Sequence, residues 1–332
     1  MYFLQEAPEF CRVLTIKLIL IIITGCSSFQ SDIDRFAPGR WEVASNEAVT
    51  LFDTHFHREV NVRVYYPADA NKQQFPVIVF SHGAFCYPQQ YRNVTDFWVS
   101  HGYIVILPDH LDSPNLGKID PKNLSILLKS RVADMSLVLD SIIDIERAIP
   151  DLSGHIDSNR FAVGGHSLGG FIAMVKSGLE LKDSEQDPGV IFSDERFDVA
   201  VIMSGVGKME QMTDDAFDGL TRPLFASGGT LDVGNIGVGE IYPWEWRMSS
   251  FTLSPPGEKY SFVLDNADHY LGGQICRENR GGSEDLQGVS LVRAANLAFL
   301  EAYVRDDADS KSWLVQTNWL NASDGRATLE SK

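Results

Sequence analysis

The stretch Gly165-His166-Ser167-Leu168-Gly169 constrains this chain more than any other. The apolar run Phe161-Ala162-Val163 precedes it, and an apolar, helix-compatible segment over residues 171–181 follows. A strand, a sharp turn and a helix in that order press backbone against backbone, and a glycine on each side of the serine suits such an approach. The turn lifts the Ser167 hydroxyl clear of the sheet edge, which is the arrangement of a nucleophile elbow. Five residues of this pattern arise easily by chance, so the weight rests on the strand–turn–helix context and on partners elsewhere in the chain.

The remaining pattern predicts an α/β domain. Val60, Val62, Val64 and Tyr66 alternate as an antiparallel strand would. Residues 76–80 form a continuous apolar run that ends in Ser81-His82-Gly83, and residues 103–107 form another that is closed by Pro108. Such runs suit strands buried on both faces. Residues 199–203, 224–226 and 260–264 are further short strand candidates. Residues 124–149 carry one long helical spacing, and 292–304 read as a closing helix. We expect a mostly parallel central sheet of about eight strands flanked by helices, over residues 40–306, with ligands beyond the carboxyl ends of the strands. Residues 307–332 read as a C-terminal tail whose Trp313, Leu314, Trp319 and Leu320 dock on the domain. Residues 183–198 read as a polar surface insertion, and the aromatic stretch 233–257 as either a pocket wall or a loop packed on the core.

The net charge of −17 argues against a nucleic-acid partner, because phosphate backbones select basic surfaces. Near the N-terminus, Arg12 and Lys17 precede an apolar run, 18–23, that is too short to span a bilayer. Ile23-Thr24-Gly25-Cys26 follows and resembles the lipobox of bacterial lipoproteins. That resemblance implies a signal peptide over 1–25, lipid attachment to Cys26, and a polar tether over 26–39. It implies export to a bacterial cell envelope and a membrane contact through the anchor. Ser27, in place of aspartate, leans toward the outer membrane, periplasmic side. In an exported chain Cys86 and Cys276 become candidates for a disulfide, although sequence leaves their separation open.

A serine hydroxyl needs a base within hydrogen-bond reach, and the base needs an orienting acid. The base candidate is His269, directly after the last strand candidate. The acid candidate is Asp232, after a strand and the turn Ser227-Gly228-Gly229; the rival place, one strand earlier, holds Ser204-Gly205. His82 and His166 suit structural roles in turns, and His110 is a candidate pocket residue. His55 and His57 would share one strand face, but no third ligand accompanies them, and neither metal nor organic cofactor is expected. The backbone N–H groups of Ala84 and Leu168 are the candidate oxyanion donors.

Together these residues resemble the α/β-hydrolase superfamily, most nearly its dienelactone-hydrolase-like and platelet-activating-factor-acetylhydrolase-like esterases. The likeness runs over about residues 75–304 and rests on Val77-Ile78-Val79-Phe80-Ser81-His82-Gly83, Ser100-His101-Gly102-Tyr103, Arg131-Val132-Ala133-Asp134, the segment from Asp157 through Gly170, and Asp268-His269. It implies an α/β-hydrolase fold and a serine esterase with Ser167 as nucleophile, Asp232 as acid and His269 as base, acting on a small-molecule or lipid ester through an acyl-enzyme. Phospholipase action, amide hydrolysis, acyl transfer and a catalytically silent envelope protein are the alternatives. Dienelactone hydrolases use a cysteine nucleophile, and the mammalian acetylhydrolases place the acid where Ser204 stands. A more distant likeness to polyester-cleaving cutinases lacks their aromatic at the position of Ala84, which argues against that activity.

Overall fold

The computed structural model describes residues 34–69, 73–182, 189–235, 241–277 and 283–332. Cys26, the signal-like run and most of the tether lie outside the described residues. Eleven strands are described: β1 (Val43–Asp53), β2 (Arg58–Pro67), β3 (Phe75–Ser81), β4 (Ile104–Pro108), β5 (Ile156–His166), β6 (Phe197–Met203), β7 (Leu224–Gly229), β8 (Gly234–Asn235), β9 (Ile241–Tyr242), β10 (Lys259–Leu264) and β11 (Ala327–Ser331). Nine of them form one sheet in the order β1-β2-β4-β3-β5-β6-β7-β10-β11, and β8 pairs with β9 apart from it. In sheet order the strands from β4 to β10 pair in parallel, and the edge pairings β1–β2, β2–β4 and β10–β11 are antiparallel. The chain is an α/β protein with a mostly parallel, helix-flanked sheet, consistent with the α/β-hydrolase fold.

The sheet divides its side chains between two cores by strict alternation. In β3, Val77 and Val79 face one core, and Ile78 and Phe80 face the other. β6 repeats the pattern with Ala200 and Ile202 against Val199 and Val201. Period-two burial on both faces is why these strands read as unbroken apolar runs. α2 (Leu127–Asp140), α3 (Ile142–Ala148) and α4 (Leu168–Lys176) cover the first face. α1 (Arg92–Ser100) and α6 (Leu286–Val304) cover the second.

Several expectations need correction. The sheet of nine strands agrees with the expected mostly parallel sheet of about eight, but residues 307–332 are not a simple tail, because the chain's end returns as β11 beside β10. Before it, α7 (Ala308–Gln316) and α8 (Trp319–Ala322) bury Leu314 and seat Trp319 edge-on against Phe262, whereas Leu320 stays half exposed. The single helix expected over 124–149 is broken at Ser141, which leaves helical geometry at φ −106°, ψ 13°. His55 and His57 sit in the turn after β1, not on a strand, and His57 adopts φ 49°. The polar 183–198 stretch is not wholly superficial: Asp194 is buried, where it accepts from Ser136 Oγ at 2.6 Å and pairs with Arg196.

Strand order reverses between β3 and β5. From β3 the chain moves outward to β4, and from β5 it moves the other way to β6. The loops beyond these two carboxyl ends therefore diverge and leave a crevice between them. The helix after β5 is packed so tightly that a Cβ on Gly169 would lie 1.9 Å from the Ser81 carbonyl oxygen, and one on Gly165 would lie 2.1 Å from that of Gly169. Backbone cannot yield there as a flexible side chain could. Gly169→Ala is predicted to destabilise the protein by about 3 kcal/mol or more, measured by urea unfolding; a loss under about 0.5 kcal/mol would refute the contact.

Candidate active site

Ser167 stands alone between β5 and α4 at φ 56°, ψ −119°. This region is costly for a non-glycine residue, by about 1–3 kcal/mol, and persists only where surroundings hold it. Its N–H donates to Met203 O at 2.9 Å, and its carbonyl accepts from Phe171 N–H at 3.1 Å. The side chain is thereby aimed at the loop after β10. There His269 Nε2 lies 2.9 Å from Ser167 Oγ, and His269 Nδ1 lies 2.7 Å from Asp232 Oδ1. A carboxylate only accepts, so the imidazole proton sits on Nδ1 and leaves Nε2 to accept from the serine.

Asp232 follows β7 and is almost wholly buried. Its second oxygen accepts from the Ser204 hydroxyl, and Arg247 Nε approaches Oδ1 to 3.2 Å. Burial alone would raise this carboxyl. The hydrogen bond and charge of His269, the charge of Arg247 and the Ser204 hydroxyl together hold it below the ordinary carboxylate range. Ser204 occupies the rival place for the acid and serves here as a donor to it.

Ala84 and Leu168 border the same cavity of about 560 Å³ as Ser167 and His269. Phe85, Leu231 and Val233 form an exposed apolar lip, and Arg247 and Arg277 also face in. Among the described residues of the 233–257 stretch, Val233 and Arg247 reach this cavity; Tyr242 and Trp246 stack on one another at 4.9 Å, and Trp244 lines a separate groove. Cys86 and Cys276 are joined by a disulfide, with Cα atoms 5.3 Å apart. The bond ties the loop after β3 to the loop after β10.

Sequence reasoning missed the supports beneath these loops. Arg131 is fully buried and donates to Asp112, to His82 O at 2.7 Å and to Gly83 O at 3.2 Å. Asp112 accepts in turn from Phe85 N–H at 2.9 Å. His166 Nε2–H donates to His269 O at 2.8 Å, so its Nδ1 accepts from the Tyr91 hydroxyl at 3.0 Å, which itself accepts from Gly83 N–H at 2.8 Å. His110 is not a pocket residue. It is fully buried, with Nε2 on Ser81 Oγ at 2.8 Å and Nδ1 on Asp134 at 2.7 Å. Among the described residues no group of histidines, cysteines or carboxylates could hold a metal ion.

Burial pushes His82, His110 and His166 well below the ordinary 6.5, helped by neighbouring cations. The unfolded chain therefore binds more protons than the folded one below that pH. Stability from the three is full above about pH 6.5 and is lost as the pH falls, by up to about 1.4 kcal/mol per pH unit each. Asp134, pushed up to about 6 by burial against the pull of Arg58, works the other way and offsets roughly one histidine. His101, lowered by burial as well, adds to the loss; stability is predicted to fall as the pH drops below about 6, and equal urea midpoints at pH 7 and pH 5 would refute it.

Residues 33–189, which carry the loop after β3 and Ser167, match the protein-family model described as Chlorophyllase. The chain is also 24% identical over 289 residues to platelet-activating factor acetylhydrolase of Canis lupus familiaris, an alignment covering 73% of this chain and 60% of that protein. It thus spans about 60% of the length of that curated relative. The fold is consistent with an α/β hydrolase, and the chain is similar to the chlorophyllase family over residues 33–189 and distantly to platelet-activating factor acetylhydrolase.

Proposed function

We propose that the chain is a serine esterase in which Ser167, His269 and Asp232 act as nucleophile, base and acid. The observation that carries this reading is the unbroken line of contacts, 2.9 Å and 2.7 Å, from Ser167 Oγ through His269 to Asp232 at the cavity wall. Ser167 Oγ attacks the ester carbonyl carbon while its proton passes to His269 Nε2. The carbonyl oxygen gains the negative charge and is met by the N–H groups of Ala84 and Leu168. The carbon–oxygen bond to the alcohol breaks, and the alcohol leaves with the proton from His269. Water then attacks the acyl-enzyme through the same base, releasing the acid and restoring Ser167. Asp232 keeps the imidazole in the required tautomer and offsets its positive charge.

The exposed apolar lip of Phe85, Leu231 and Val233 favours an ester with a hydrophobic part, a lipid ester included. Residues 23–26 favour a lipid anchor on Cys26 and a place in a bacterial envelope, where such substrates are at hand. Mass spectrometry of the membrane fraction is expected to find the chain beginning at acylated Cys26, and Cys26→Ala to abolish that form. An unmodified Cys26 in the mature chain would remove the anchor from this reading.

Hydrolysis of nitrophenyl esters from acetate to palmitate tests the activity. Ser167→Ala is expected to abolish turnover, and Asp232→Asn to lower kcat about ten-thousandfold. A folded Ser167→Ala protein with unchanged turnover would refute the serine mechanism. Near-normal turnover in Asp232→Asn would transfer the acid's role to another residue. Products formed with added alcohols or with amide substrates separate acyl transfer and amide hydrolysis from ester hydrolysis.

A further inference from the structure

Arg247 lies in the 3-10 turn Trp244–Met248 and is 7% exposed. Its Nε is 3.2 Å from Asp232 Oδ1, the same oxygen that receives His269 Nδ1–H at 2.7 Å. That Nε has no hydrogen bond of acceptable geometry, so the contact with Asp232 is one of charge. Nη1 reaches Gly205 O at 3.4 Å, and the guanidinium lies 5.2 Å from the Trp246 ring centroid. In a serine–histidine–aspartate arrangement the full charge of the acid faces the imidazole. Here a second, permanent cation shares it.

We propose that Arg247 is a positioning residue for the reaction: it holds one oxygen of Asp232 in place and sets the lower pH limit of catalysis. The inference rests on the assignment of Ser167, His269 and Asp232 given above. The other groups facing the His269–Asp232 pair leave this role to Arg247. Ser204 contributes a neutral hydroxyl from the end of β6. His166, with its ring 4.7 Å away, is neutral because burial disfavours its charged form. Tyr270 sits 4.8 Å from the His269 ring, with Arg277 over it at 5.6 Å. Asp268 is turned to the N–H groups of Tyr270 and Gly272. A fixed cation beside Asp232 disfavours an added proton on the pair. The pair therefore keeps its basic form to lower pH than it would with an undiluted carboxylate.

The test is the pH profile of kcat/KM on nitrophenyl butyrate for wild type, Arg247→Lys and two neutral variants, Arg247→Gln and Arg247→Met. The methionine fills similar space without leaving a buried donor, so a folded neutral variant remains if the glutamine does not fold. The neutral variants are expected to move the acid limb up by about one pH unit, and Arg247→Lys to leave it near wild type. A folded neutral variant whose activity falls equally at all pH values, with its acid limb unmoved, would overturn the proposal and reduce Arg247 to packing. Ser167→Ala, assayed alongside, is expected to be inactive; full activity there would instead overturn the assignment on which the proposal rests.

Discussion

Beneath the loop that follows β3 lies a guanidinium with no access to water. Burying such a charge costs several kcal/mol unless it is paired and its donors are satisfied. Arg131 meets this condition with two oxygens of Asp112 and with the carbonyls of His82 and Gly83. The loop is thus wound around the cation. Its carbonyls turn inward to Arg131, and the N–H of Phe85 turns to Asp112. What remains is a rigid ledge with Ala84 at the cavity. The elbow shares this support, because Gly169 touches Ser81 at the start of the ledge and Tyr91 joins Gly83 to His166.

Strain gathers at the same end of the sheet. Phe85, Ser167, Ser204, Leu271 and Cys276 are non-glycine residues at positive φ, and all lie in loops beyond strand carboxyl ends. Each such conformation is held by its neighbours rather than chosen by its own sequence. The polar networks supply that hold. His166 bonds to the backbone of His269 and through Tyr91 to Gly83, so a displacement of one loop is felt by the other.

The contacts legible in the sequence were those written in local pattern. The elbow, the strand ends carrying Asp232 and His269, and the alternating β2 all have short-range signatures. β1 escaped notice because its sequence, VASNEAVTLFD, mixes polar and apolar residues as an edge strand can. Arg131, Tyr91 and Arg247 were silent because their partners lie from 8 to 75 residues away, beyond any local pattern, and burial cannot be read from a single letter. His110 misled for the same reason: standing at a strand end suggested the pocket, whereas Ser81 and Asp134 draw it inward. The tail misled because tryptophans announce docking without saying that a strand follows them.

The bond between Cys86 and Cys276 has a topological consequence. It closes the intervening chain into a covalent ring, and Ser167, Asp232 and His269 are all members of that ring. One cut in the backbone anywhere along it opens the ring without dividing the molecule. The two halves of a once-nicked chain stay tethered at the rim of the cavity, where the ledge and the histidine loop meet. Two cuts, or one cut and a reductant, are needed to part them.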